Sequence, residues 1–254
     1  MAAAGGMILA LDRVAKRFGG VQAVSEVTFA VAHGEIVALI GPNGAGKTTL
    51  FSLVAGFLAP DAGTVRFEDR DVTGLAPHRV AALGLVRTFQ TAQPFERLTV
   101  AQNIAVGAHL HLAARHAALR RAAEVADRVG LGKWLDRPAR ELNVAGRKRL
   151  ELARALATEP RLLLLDEVMA GLNPAEIDAI VSTIFAIRDS GITVLLTEHV
   201  MRAVMRLSDR VLVLNNGRLI AQGKPAEVAA DPAVVEAYLG RGATPQAAKE
   251  LAHG

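Results

Sequence analysis

The chain has 254 residues and no cysteine, and its Lys plus Arg exceed its Asp plus Glu by 29 − 25 = 4. That length supports one core, or a core with a large insertion, and the missing thiols exclude both a disulfide framework and a thiolate metal site. The charge excess is too mild to announce a nucleic-acid binder, and no nucleic-acid partner is expected.

Apolar residues make up 51% of the chain. Yet the longest apolar runs, 36–40, 162–165 and 194–196, are strand-sized and fall far short of the roughly 20 residues a membrane helix needs. The opening stretch MAAAGGMILALDRVAKRF lacks a basic segment ahead of its short apolar run and reaches Asp12 quickly, so no secretory signal is expected. These features describe a soluble cytoplasmic chain.

Residues 7–33 alternate apolar and polar in short runs broken at Gly19-Gly20, which predicts antiparallel strands. EIVALI at 35–40 is a continuous apolar run suited to a strand buried on both faces, and it enters a Gly-rich turn followed by a helix, KTTLFSLVAGF. RLLLLDE (161–167) and ITVLLTEH (192–199) are built the same way, each after a helical segment, so a parallel α/β sheet is expected. Between them Ala, Leu, Arg and His dominate at helical spacing, which predicts a helical insertion. After two β-like runs, RVLVLNNG and RLIAQG, a helix runs from PAEVAA to AYLG, and the remainder is expected to fray. The predicted division is an α/β core over 7–92 and 159–240 with an N-terminal antiparallel β subdomain, a helical subdomain over 93–158, and a tail over 241–254.

GPNGAGKT (41–48) fits G-x-x-x-x-G-K-[ST] and sits between a predicted buried strand and a predicted helix, where the chemistry requires it. The amides of Gly41, Pro42's successor Asn43, Gly44, Ala45 and Gly46, with Thr49 just beyond, can wrap a polyphosphate at the positive end of the helix. Pro42 is expected to belong to the same nucleotide-binding loop. Lys47 would reach the β- and γ-phosphates and Thr48 would offer its hydroxyl to Mg²⁺. The acidic partner such a metal requires is Asp166, at the end of an apolar strand, and the adjacent Glu167 is placed to act as general base on an attacking water. A histidine ending a strand is more often structural, but His199 lies at the C-terminal edge of a parallel sheet, where ligands gather. Gln90 in VRTFQ could ligate Mg²⁺ through its carbonyl or orient water.

These pieces in this order resemble the ATP-binding subunits of ABC transporters, over residues 8–240. The resemblance implies a P-loop NTPase of ABC type, with ATP and Mg²⁺ as its nucleotide and cofactor. It implies that Phe18 stacks on adenine with Val24 beside it, the alternative for Phe18 being a core residue. Gln90 would contact Mg²⁺ and the water and move with the permease, and His199 would contact the γ-phosphate. AGLN (170–173) resembles the loop that crosses to the partner subunit, with Asn173 where the family usually has Asp. The signature that closes the partner's ATP normally reads L-S-G-G-Q; here LNVAG (142–146) places Asn143 at the serine, Ala145 at the second glycine and Gly146 at the glutamine. The trans contact by Asn143, Ala145 and Gly146 is therefore plausible but weakened.

The stretches VRTFQTAQPFERLTVAQNIAVGAH, LARALATEPRLLLLDEVMAGLNPAE and TEHVMRAVMRLSDRVLVLNNGRLIAQGKPAEV are similar to the ATP-binding subunits of bacterial importers for branched-chain and other hydrophobic amino acids. That branch implies a second ATP-binding subunit, identical or related, two transmembrane permease subunits, a periplasmic solute-binding protein acting indirectly, and a peripheral place on the cytoplasmic face of the cell membrane. Other solutes of the branch are urea, amides and aromatic acids. An ATPase of the same fold serving DNA repair or translation, and a weakly active regulatory cassette, are the rival readings.

Overall fold

The structure, a computed structural model, describes residues 6–89 and 93–239. Strands β1 (Met7–Phe18) and β2 (Val21–Ala32) form the antiparallel hairpin that the sequence predicts, turning at Gly19 and Gly20. Strands β4 (Ala62–Phe67) and β5 (Arg70–Asp71) extend it to a four-stranded sheet in the order β2-β1-β4-β5.

The second sheet is built from β3 (Ile36–Ile40), β6 (Leu85–Arg87), β7 (Leu162–Asp166), β8 (Thr193–Thr197), β9 (Arg210–Asn215) and β10 (Arg218–Gly223), in the order β10-β9-β3-β8-β7-β6. Its pairs are parallel except for β9 with β10. Three of its strands, β3, β7 and β8, are buried at every position, which explains why they read as unbroken apolar runs rather than alternating ones.

Successive side chains on a strand point to opposite faces, and here each face has its own core. Ile36, Ala38, Ile40, Leu163, Leu165, Val194 and Leu196 pack with most of the helices, whereas Val37, Leu39, Leu162, Leu164 and Leu195 pack with the antiparallel sheet and with the helices that contribute Phe51 and Val80. The helices are α1 (Lys47–Val54), α2 (Pro77–Ala82), α3 (Val100–Ala108), α4 (Arg115–Arg128), α5 (Val144–Leu156), α6 (Pro174–Asp189), α7 (Met201–Leu207), α8 (Pro225–Ala229) and α9 (Pro232–Leu239). Helices α3, α4 and α5 lie in the chain between β6 and β7, where helical spacing places them, and share the first core. Among the described residues no helix is long and apolar enough to cross a membrane.

Two features differ from the sequence reading. The single C-terminal helix is two, because Asp231 accepts from the Ala233 amide and Pro232 starts a new first turn. The elements β4, β5, α2 and β6, each of two to six residues, lie outside the sequence reading.

Because β3, β7 and β8 are parallel neighbours, their C-terminal ends open on one edge. That edge receives the 41–48 loop, the Asp166-Glu167 pair and His199 together.

Gly107 in α3 marks a close helix crossing, since a Cβ there would meet the Arg154 carbonyl of α5 at 2.2 Å. Gly to Ala inside a helix ordinarily stabilises by about 0.5–1 kcal/mol; here Gly107→Ala is expected to destabilise by about 1–3 kcal/mol in urea unfolding, from overpacking. A stabilised variant would contradict the crossing.

Candidate active site

Helix α1 begins at Lys47 directly after Gly46, a left-handed residue at φ 104°, and no side chain caps it. Its first amides are thus left to whatever anion sits before them. A Cβ on Gly46 would lie 2.3 Å from the Ala23 carbonyl, and one on Gly41 would lie 2.0 Å from the Leu214 carbonyl. The loop is packed that closely between the hairpin and β9. It is also tied from outside: the Gly217 amide donates to the Ala45 carbonyl at 2.9 Å, and the Gly217 carbonyl accepts from the Ser25 amide at 2.7 Å. Tyr238 of α9 is a phenol that burial pushes up to about 12, against a lowering pull from the Gly41 backbone at the start of the loop.

Lys47 is 8% exposed and its Nζ donates to the carbonyls of Gly41 (2.6 Å) and Pro42 (3.1 Å). Burial lowers its pKa, against the pull of Glu167 and Asp166. The ammonium therefore sits curled inside its own loop, near two carboxylates. Around it Asn43, Gly44, Ala45, Gly46, Thr48, Thr49, Glu167 and His199 line a cleft of about 450 Å³, together with Val21, Gln22 and Ala23 of the hairpin.

Asp166 is 4% exposed. Its Oδ1 accepts from the Thr197 hydroxyl at 2.8 Å and its Oδ2 from Arg87 Nη2 at 2.6 Å. Glu167 adopts φ 50°, a costly conformation for a residue with a side chain. Two bonds hold it there: its amide donates to the Thr197 carbonyl at 3.0 Å, and its carbonyl accepts from Lys148 Nζ at 3.1 Å. The side chain this aims lies with Oε1 2.7 Å from His199 Nε2. A polyphosphate cradle, a buried carboxylate beside it and a carboxylate–imidazole pair at its mouth form a site suited to phosphoryl transfer to water.

A profile of the ABC transporter family matches residues 24–170. The chain belongs to this family. A second profile, of branched-chain amino acid ATP-binding cassette transporters, matches residues 218–244. The chain is 41% identical over 249 residues to the high-affinity branched-chain amino acid transport ATP-binding protein LivG of Salmonella typhimurium, covering 92% of this chain and 98% of that one. It is 39% identical over 249 residues to BraF of Pseudomonas aeruginosa, a protein of the same description, with the same coverage. A nucleotide-free ATP-binding cassette from an ABC transporter superposes with a TM-score of 0.85 at 33% identity, over 93% of this chain and 100% of that one. The protein is thus an ABC transporter cassette that binds and hydrolyses ATP.

The cassette's donors fit Mg²⁺. Thr48 and Asp166 line one continuous cleft of about 670 Å³ and present only oxygens, as that ion prefers. Among the described residues no group of three or more His, Cys, Asp or Glu could hold a metal unaided. That suits an ion carried largely by a nucleotide's phosphates.

Other predicted positions fall differently. Phe18 is 48% exposed, with Lys16 Nζ 5.8 Å from its ring centre, and pairs in register with Val21, which lines the phosphate cleft. Val24 does not reach the cleft: it is fully buried in the core, and Gln22 and Ala23 stand at the lining instead. Gln90 lies outside the described residues. None of residues 142–146 lines the phosphate cleft of its own chain. Asn143 caps α5 by accepting the Gly146 amide at 2.8 Å; Asn143 and Val144 are exposed, Val144 at 57%, whereas Ala145 is 6% exposed. Asn173 caps α6 in a capping box with Glu176.

Sequence reasoning missed Arg87, Lys148, Thr197 and Glu198. Only Glu198 carried a signal, a carboxylate inside an apolar strand end. It is 3% exposed and accepts from the Met169 amide at 2.9 Å, joining the segment after Glu167 to the one that carries His199. Burial raises its pKa from 4.5 to about 7.

Between those values the folded chain keeps a proton that the unfolded chain has released, so stability falls as pH rises towards 7. Urea unfolding over roughly pH 5 to 8 should show this fall in wild type and a smaller one in Glu198→Gln. An identical slope in the two would contradict the buried carboxyl as its source.

Proposed function

We propose that this cassette drives uptake of branched-chain or other hydrophobic amino acids. In this reading it is a peripheral subunit on the cytoplasmic face of the cell membrane, paired with a second cassette under two permease subunits that a periplasmic binding protein supplies. The observation that carries the reading is the match of residues 218–244 to the branched-chain profile, seconded by the descriptions of LivG and BraF. Phe57, Phe89, Phe95, Val106 and Leu110 are exposed apolar side chains of the kind a permease contact would cover; Phe89 and Val106 line the larger cleft.

In turnover, Lys47 leaves the carbonyls of Gly41 and Pro42 for the β- and γ-phosphates. Thr48 and Asp166 would hold Mg²⁺, which when bound would offset the charge building on the phosphate oxygens. Glu167 takes the proton of the water whose oxygen attacks the γ-phosphorus, while the bond to the β–γ bridging oxygen breaks. His199 orients Glu167 until the γ-phosphate draws the imidazole away, and Gln90 positions the water. Residues 142–146 of the partner cassette close the site from the opposite side, consistent with their absence from this chain's own cleft.

A second reading, a weakly active cassette beside a stronger partner, is favoured by one observation. The Gly146 amide, which would face the partner's phosphate, is already taken by Asn143.

Glu167→Gln should keep ATP affinity and lose turnover by roughly 10²–10⁴-fold; near wild-type hydrolysis would sink the general-base role. In source cells lacking the chain, uptake of labelled leucine should fall and be restored by wild type but not by Glu167→Gln. Unchanged leucine uptake with loss of labelled urea or phenylalanine uptake would assign the other cargo.

A further inference from the structure

Arg87 ends the edge strand β6, and its side chain is 7% exposed. Its guanidinium bridges the two halves of the metal site: Nη2 donates to Asp166 Oδ2 at 2.6 Å, and Nη1 donates to the Ser52 hydroxyl at 2.8 Å. Ser52 lies one helical turn beyond Thr48 and donates in turn to the Thr48 carbonyl at 2.7 Å. Thr48, Arg87 and Asp166 line the same cleft. A full positive charge thus rests on one oxygen of the carboxylate that the metal needs, while Thr197 holds the other oxygen.

We propose that Arg87 is a positioning residue that competes with Mg²⁺ for Asp166, neutralising the carboxylate before the metal arrives and yielding it afterwards. The inference rests on reading Thr48 and Asp166 as the metal's ligands. Without some cation, a buried carboxylate beside a phosphate cradle is costly. Lys47 lies near, but Arg87 is the cation in direct contact with that carboxylate.

The guanidinium also has a place to go. The rings of Phe51, Phe57 and Phe89 surround it at 5.8, 5.9 and 5.9 Å, and Phe57 and Phe89 meet edge to face at 5.5 Å. Aromatic faces hold a guanidinium without a counter-ion, so release from Asp166 does not strand the charge. Its buried Nε finds no partner among the described residues, leaving the group anchored by two nitrogens rather than locked in a full network.

The test compares the dissociation constant of a non-hydrolysable ATP analogue in EDTA and in Mg²⁺, for wild type and for Arg87→Met, which keeps an apolar stem against the rings. The factor by which Mg²⁺ tightens binding should grow by roughly tenfold in Arg87→Met, since a cation at contact range no longer opposes the metal. It should stay near wild type in Arg87→Lys, which keeps the charge. An unchanged or smaller factor in Arg87→Met overturns the proposal and makes Arg87 an orienting group. Asp166→Asn separates the premise from the inference: if it keeps the full Mg²⁺ factor, the ligand reading itself fails. Should Arg87→Met not fold, arginine-detected NMR on wild type decides. Adding Mg²⁺ to the analogue-bound protein should speed hydrogen exchange at the Arg87 Nη2 position, and unaltered exchange overturns the proposal.

Discussion

A buried ammonium requires acceptors, and Lys47 finds them in the carbonyls of Gly41 and Pro42, two residues of its own loop. That arrangement constrains everything around it. The loop must be narrow enough to bring its carbonyls to one nitrogen, and glycines at 41 and 46 permit this where any side chain would strike the backbone of Leu214 or Ala23. It must also be stiff, and the bonds through Gly217 to Ala45 and Ser25 bind it to both sheets. The result is a cradle already shaped for a charge of the opposite sign, with its cation parked inside. Such preorganisation spares the site from rearranging at the moment of reaction.

The same economy of charge governs the acidic side. Asp166 and Glu167 adjoin in sequence but differ in environment: one is sealed between Thr197 and Arg87, the other turned outward on a left-handed backbone towards His199. A buried carboxylate beside the phosphate cradle suits a metal ligand once Arg87 yields its oxygen, and one at the cleft mouth suits a proton acceptor. Thr197 serves both, its hydroxyl to Asp166 and its carbonyl to the Glu167 amide. Lys148, at the far end of that peptide, comes from the helix whose first turn carries the signature segment. The residue that a partner's nucleotide would contact and the residue proposed to activate water are thereby on connected elements.

The parts most legible in the sequence are those dictated by local physics. A strand buried on both faces cannot hide its composition, so β3, β7 and β8 stood out, and the glycines of the phosphate loop follow from backbone geometry alone. Short strands such as β6, three residues long, bury too little to leave a pattern. Arg87 was overlooked because a charged residue at a strand end ordinarily meets water; only the folded chain supplies Asp166 and three rings. Val24 illustrates a different limit. Val21, Gln22 and Ala23 line the cleft while Val24 beside them is buried in the core, a placement that the run of residues does not disclose.

What Lys47 and Asp166 do when nucleotide arrives decides the mechanism, and a crystal structure of Glu167→Gln with ATP and Mg²⁺ would read both. Lys47 Nζ should lie on the β- and γ-phosphate oxygens, released from Gly41 and Pro42, with the metal between Thr48 and Asp166. ATP bound elsewhere, or bound with Lys47 still on both carbonyls, would contradict it.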